Sequence, residues 1–219
     1  MTLAASVPDV FTRQKIERMA ALALANGIRL HRDAIALYEM GSFPSALQLA
    51  ILGQEEIAKA FLLEDIHWHM DIDGTPASDF ASHIHEILTT HGLKQMHFKV
   101  LVMDFDRHLG RRYSRLLVSL LSERTEARKQ GATYVGLPRN GRRLRLDGRI
   151  INPMATRAKA AHEQISRVNN LLIGLSDGIE DGSIGLDTEE SEELLVGLGA
   201  RLRREWPQTH PQGVTAPRP

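Results

Sequence analysis

Ser45-Ala-Leu-Gln-Leu-Ala-Ile-Leu-Gly-Gln-Glu-Glu-Ile-Ala-Lys-Ala-Phe-Leu-Leu63, read at 3.6 residues per turn, places Leu49, Leu52, Glu56, Ala60 and Leu63 on one helical stripe. Pro44, after Ser42-Phe43, suits a first helical turn, and the helix is expected to run over about 44–70. Glu56 therefore faces the core. A buried carboxylate is costly unless a cation or donors satisfy it. Lys59 is the nearest cation in sequence, and Glu55 lies four residues before it in the favourable ion-pair orientation. The competing reading is a surface Glu-Lys pair with Glu56 near the edge of the stripe.

Working outward, the same period predicts an Ala/Leu-rich helix over about 12–40, with a kink or break at Asn26-Gly27 and a stop at Gly41. Residues 71–76 read as a turn. A long third helix is predicted over about 78–129, bent at Gly92, with Phe98, Val102, Phe105, Leu109, Tyr113, Leu116 and Leu120 as its apolar stripe. That length suggests the central helix of a bundle. Residues 131–152 break the pattern and read as an arginine-rich excursion with the signals of a small hairpin. Asn152-Pro153 then opens a fourth helix to about 179, and a capping-box pattern at Asp187-Thr188-Glu-Glu-Ser opens a last one over about 188–204. From Trp206 onward the proline-rich tail is expected to be disordered. The fold class is all-α: one helical domain over 1–205 and a tail over 206–219.

At 219 residues one well-buried core is within reach. The absence of cysteine removes disulfides and thiolate chemistry. The N-terminal residues have no basic n-region followed by a long apolar run, and no later stretch approaches the roughly 18 apolar residues of a membrane span, so a cytoplasmic location is expected. No phosphate-binding glycine motif is present, which leaves nucleotide triphosphate chemistry unsupported.

Net charge is zero but unevenly spread. Residues 107–167 hold 15 Lys/Arg against four acidic residues. Such an excess is the footprint of a surface that meets polyanions; acidic helices elsewhere, or a partner subunit, would neutralise it equally well. Arg139, Arg142, Arg143, Arg145 and Arg149 of the excursion cannot all be buried with only Asp147 nearby. They are expected to form an exposed RNA-binding surface.

The run Ala50-Ile-Leu-Gly-Gln-Glu55-Glu56-Ile-Ala-Lys59-Ala, preceded by Leu37-Tyr38-Glu-Met-Gly-Ser-Phe-Pro-Ser-Ala46, resembles the Glu-Glu-x-x-Lys helix of AbiV-type proteins, a group of HEPN-like helical proteins. His91-Gly-Leu-Lys94 resembles the family's His-x-x-Lys, and Lys129-Gln-Gly-Ala-Thr-Tyr134-Val135 with Asn152-Pro153 resembles its Tyr-Val strand and return helix. Order and spacing agree from about 20 to 205. The resemblance implies abortive-infection defence against phage, by RNA cleavage or inhibition of translation, with a phage protein as trigger and a homodimer as the working form. It also makes Glu55, Glu56, Lys59, His91 and Lys94 a polar core.

HEPN-type families carry an Arg-x(4–6)-His motif associated with metal-independent RNA cleavage, and Arg157-Ala-Lys-Ala-Ala-His162 is similar to it. By that resemblance His162 is the general acid or base and Arg157 steadies the phosphate. Ala158 stands where a polar residue is common in the family. Residues five apart differ by about 140° around a helix, so the pair must converge through arginine's reach or across a dimer interface. His162 is expected at the border of the buried stripe. The bland alternative makes it a packing or dimer-contact residue.

No cofactor or metal is expected. Glu64-Asp-Ile-His67 has a di-iron spacing but lacks its second copy, and His67/His69 and His83/His85 point to different helix faces. The rival to a ribonuclease is a non-catalytic helical module that binds protein or RNA and blocks translation by occupancy.

Overall fold

The computed structural model describes residues 11–72, 77–108, 124–133, 139–140, 143–144 and 150–206. Helix α1, Arg13–Glu39, starts where the Thr12 hydroxyl accepts from the Lys15 backbone N–H. It ends where Gly41 adopts φ 77°; there the amides of Gly41 and Ser42 bond back to Tyr38 and Leu37 at 2.9 Å each. This tight reversal lays α2, Phe43–Ile72, along α1. A 3₁₀ turn at Ala77–Phe80 leads into α3, Ala81–Thr89, and then α4, His91–His108. Helix α5 is Arg124–Thr133. Arg139–Asn140 (β1) pairs antiparallel with Arg143–Leu144 (β2), Asn140 opposite Arg143. A 3₁₀ turn at Pro153–Ala155 precedes α6, Ala158–Glu180, followed by α7, Glu189–Leu195, and α8, Leu198–Glu205. The architecture is an all-α bundle.

The central element is α2, which touches α1, α3, α4, α5 and α6. The long third helix expected from periodicity is instead broken: Thr90 is extended, at φ −101° and ψ 106°, and separates α3 from α4. Of its predicted stripe Phe98 is buried; residues 109–123 lie outside the described residues. Because α2 is covered on most sides, its buried residues include Ala46, Leu47, Ile51, Gln54, Glu55, Ala58, Leu62 and Leu63, nearly all the way round the helix. Leu49, Leu52 and Glu56, assigned to the core from the stripe, lie on its less buried face.

Gly27 is not a kink. It sits inside a continuous α1 opposite Gly53 of α2, where a Cβ would stand 2.7 Å from Ile57 Cγ1 and 3.1 Å from the Gly53 carbonyl oxygen. The two helices approach at this point because neither residue has a side chain. Gly27→Val is expected to cost about 1–3 kcal/mol through overpacking. Gly131→Ala in α5, where an added Cβ meets nothing within 4 Å, should gain about 0.5–1 kcal/mol. Urea midpoints of the two variants check the contrast, and equal midpoints would contradict it.

Among the described residues, three apolar clusters fill the bundle. Leu24, Ile57, Phe98, Val168, Leu172, Leu195 and Leu202 form one. Ile35, Leu47, Ile51, Ala132, Ala161, Ile165 and Trp206 form a second, and Ile16, Leu63, Ile66, Ile84 and Ile87 a third. Trp206, placed in the disordered tail by sequence, is 3% exposed.

Candidate functional site

Polar residues cluster where α4 and α5 cross α2. Glu55 is 2% exposed. Its carboxylate accepts from His91 Nδ1 at 2.8 Å, Gln95 Nε2 at 2.8 Å and Lys129 Nζ at 3.2 Å to each oxygen. An ionised carboxylate only accepts, so His91 carries its proton on Nδ1. The next residue, Glu56, is half-buried and accepts from Lys59 Nζ at 2.7 and 2.6 Å and from Asn26 Nδ2 of α1 at 3.1 Å. The buried carboxylate is thus Glu55 rather than Glu56, because the all-round burial of α2 leaves no single stripe to read.

Lys94 is buried, and its ammonium donates to the Leu88 carbonyl at 3.3 Å. Burial pushes its pKa down first; Lys59 and Lys129 add to this while Glu55 and Glu56 oppose it. The fold therefore gathers Glu55, Glu56, Lys59, His91 and Lys94 into one knot and adds Gln95 and Lys129. Gln95 was detectable four residues after His91 on the same helical face. Lys129 was not, since 74 residues separate it from Glu55.

Arg157 lies outside the α-helix that Asn152-Pro153 was expected to open. Asn152 caps only the short 3₁₀ turn, its side chain accepting from the Met154 N–H at 3.0 Å. The α-helix begins at Ala158, with Arg157 as its exposed N-cap. His162 is half-buried, its ring 5.9 Å from that of Tyr38 and 5.1 Å from that of Trp206. The indole Nε1 donates to Ser166 Oγ at 3.1 Å, one turn along α6. Tyr38 also meets Phe43 and Trp206 at 5.2 and 5.1 Å. His162 thus lies at the border of the core, in an aromatic cluster that joins the ends of α1 and α8 to α6.

Arg139 and Arg143 lie on the paired strands; Arg142, Arg145 and Arg149 lie outside the described residues. Glu64 and His67 serve packing. Glu64 accepts from the backbone N–H groups of Asp187 and Thr188, each at 3.1 Å, and from the hydroxyls of Thr188 and Ser191 at 2.6 and 2.5 Å, tying α2 to the start of α7. His67 Nδ1 donates to Asp187 and its Nε2 accepts from Arg13 Nε at 3.0 Å. Among the described residues no three His, Asp or Glu side chains gather as a metal site, and no helix is long and apolar enough to cross a membrane.

Comparison with known proteins places the knot and the Arg157–His162 segment in a family. The HEPN_AbiV family model, described as AbiV, matches residues 15–173. The chain belongs to the AbiV family. The AbiV segment runs from α1 into the second half of α6, so it contains the knot, Arg157 and His162 and leaves out α7, α8 and Trp206. Neither a curated protein nor a solved structure matches the chain.

Proposed function

We propose that this AbiV-family chain is an abortive-infection protein that arrests the growth of a phage-infected cell by metal-independent RNA cleavage. The observation that carries the reading is the family match over residues 15–173. The placement of Arg157 and His162 is compatible with it. Arg157 stands exposed at the start of α6, free to reach a phosphate, and His162 is half-buried one turn further on. Histidine is the side chain whose intrinsic titration lies nearest neutral pH, which suits proton transfer to or from a ribose hydroxyl. The working form is a homodimer in which two such sets share a cleft, and the arginines of residues 139–149 hold the RNA backbone. A phage protein is the trigger.

One observation favours the second reading, a non-catalytic module that stops translation by occupancy. Tyr38 and Trp206 both pack on the His162 ring, as they would around a purely structural histidine. His162→Gln separates the two. The catalytic reading predicts loss of growth arrest, an unchanged oligomer mass and a fall in Tm of about 2–4 °C, since loosening one aromatic contact costs about 1 kcal/mol. A folded variant with unchanged mass and full growth arrest would refute the assignment to His162.

A further inference from the structure

Among the described residues, the knot around Glu55 carries more positive charge than its carboxylates balance. A buried carboxylate is satisfied by one cation and enough donors for its remaining lone pairs. Lys129 and Gln95 already supply this for Glu55, and Lys59 with Asn26 supplies it for Glu56. That leaves Lys94 as a third ammonium against two carboxylates. It is 5% exposed, and among the described residues it holds only a neutral carbonyl, that of Leu88. A buried ammonium without a counter-charge of its own is costly, which accounts for the downward push on its pKa. An arriving anion would remove that cost.

The knot is also open on one side. Glu55 is almost sealed, yet the His91 side chain that it grips is 56% exposed. With Nδ1–H fixed on Glu55, the ring turns its Nε2 toward solvent, and among the described residues nothing pairs with it. Lys59, bonded to the neighbouring Glu56, has a side chain that is 19% exposed.

We propose that His91, Lys59 and Lys94 form a binding site for a phosphate group, contacted by His91 Nε2 at the mouth and by Lys94 from behind. Phosphate fits better than carboxylate because its oxygens can meet donors from several directions at once. The group could belong to an RNA backbone or to a free phosphate. The site does not depend on His162 being catalytic.

The test is an NMR titration of the His91 imidazole in the full chain with sodium phosphate, against sodium chloride at equal ionic strength. The site predicts a saturable shift of His91 with phosphate only, and a Tm raised by phosphate. Lys94→Met keeps the volume and removes the surplus charge. It should fold at least as stably as the natural chain without phosphate and bind phosphate at least tenfold more weakly. His91→Gln, whose amide can still donate to Glu55, provides the same test should the first variant misfold. A short single-stranded RNA titrated alongside identifies the source: much tighter binding than phosphate assigns the site to RNA, and equal binding assigns it to the free anion. No shift beyond that of chloride, or unaltered phosphate binding by folded variants, would overturn the proposal. Loss of function in His162→Gln with phosphate binding intact, or the reverse, shows that the two assignments stand or fall separately.

Discussion

Replacing Glu55 with alanine is expected to cost about 3–5 kcal/mol of folding stability, because it strips the buried counter-charge from one side of a charged pair. His91, Gln95 and Lys129 would lose their shared acceptor, and the surplus of ammonium groups would grow by one. Glu56→Ala should cost much less, since Glu56 and Lys59 are partly solvated and water can replace their contact. Urea unfolding of both variants measures the difference. A loss below about 1 kcal/mol for Glu55→Ala would mean that the knot contributes little to the fold.

Acidification is the second large effect. His31 of α1 is fully buried, its Nε2 bonded at 3.1 Å to Asn169 Oδ1 of α6. Burial lowers its pKa from 6.5 to about 4, against the opposing influence of the Asn169 hydrogen bond and the Glu205 charge. The unfolded chain takes up this proton near pH 6.5 and the folded chain only near pH 4. Between those values the unfolded state binds more protons, so stability falls as pH is lowered. At about 1.4 kcal/mol per unit, His31 alone removes about 3 kcal/mol by pH 4. Stability measured from pH 7.5 to 4 should show this slope, and His31→Leu should flatten it. An unchanged slope in the variant would place the acid sensitivity elsewhere.

Local signals in the sequence located the end of α1 and the start of α2 because the determinants are themselves local: Gly41 as a left-handed stop and Pro44 in a first turn. Signals that depend on tertiary partners were not legible. The stripe on α2 selected Glu56 over Glu55 because helices on several sides erase the one-face pattern that such reading assumes. Gly27 resembled a breaker, since close approach to Gly53 is visible only once α2 lies alongside. Asn152-Pro153 is a genuine start signal, but it opens a 3₁₀ turn and the helix waits until Ala158. The last helix divides at Gly197, whose φ of 69° no side-chain pattern announced.

The same limit applied to the candidate site. Glu55, Glu56, Lys59, His91 and Lys94 were found as motif residues on two helices, which spacing and resemblance can locate. Their partner Lys129 and the indole of Trp206 come from distant stretches, the latter from a segment whose prolines suggest disorder. Burial of Trp206 against Tyr38 and His162 outweighs that local composition.

Incubation of the purified chain with total RNA in the presence of a chelator, followed by mapping of the new ends, tests the functional reading most directly. The account predicts cleavage at defined positions without added metal, lost in His162→Gln while the variant stays folded. RNA left intact by wild-type protein at a concentration that stops translation in the same extract would contradict it.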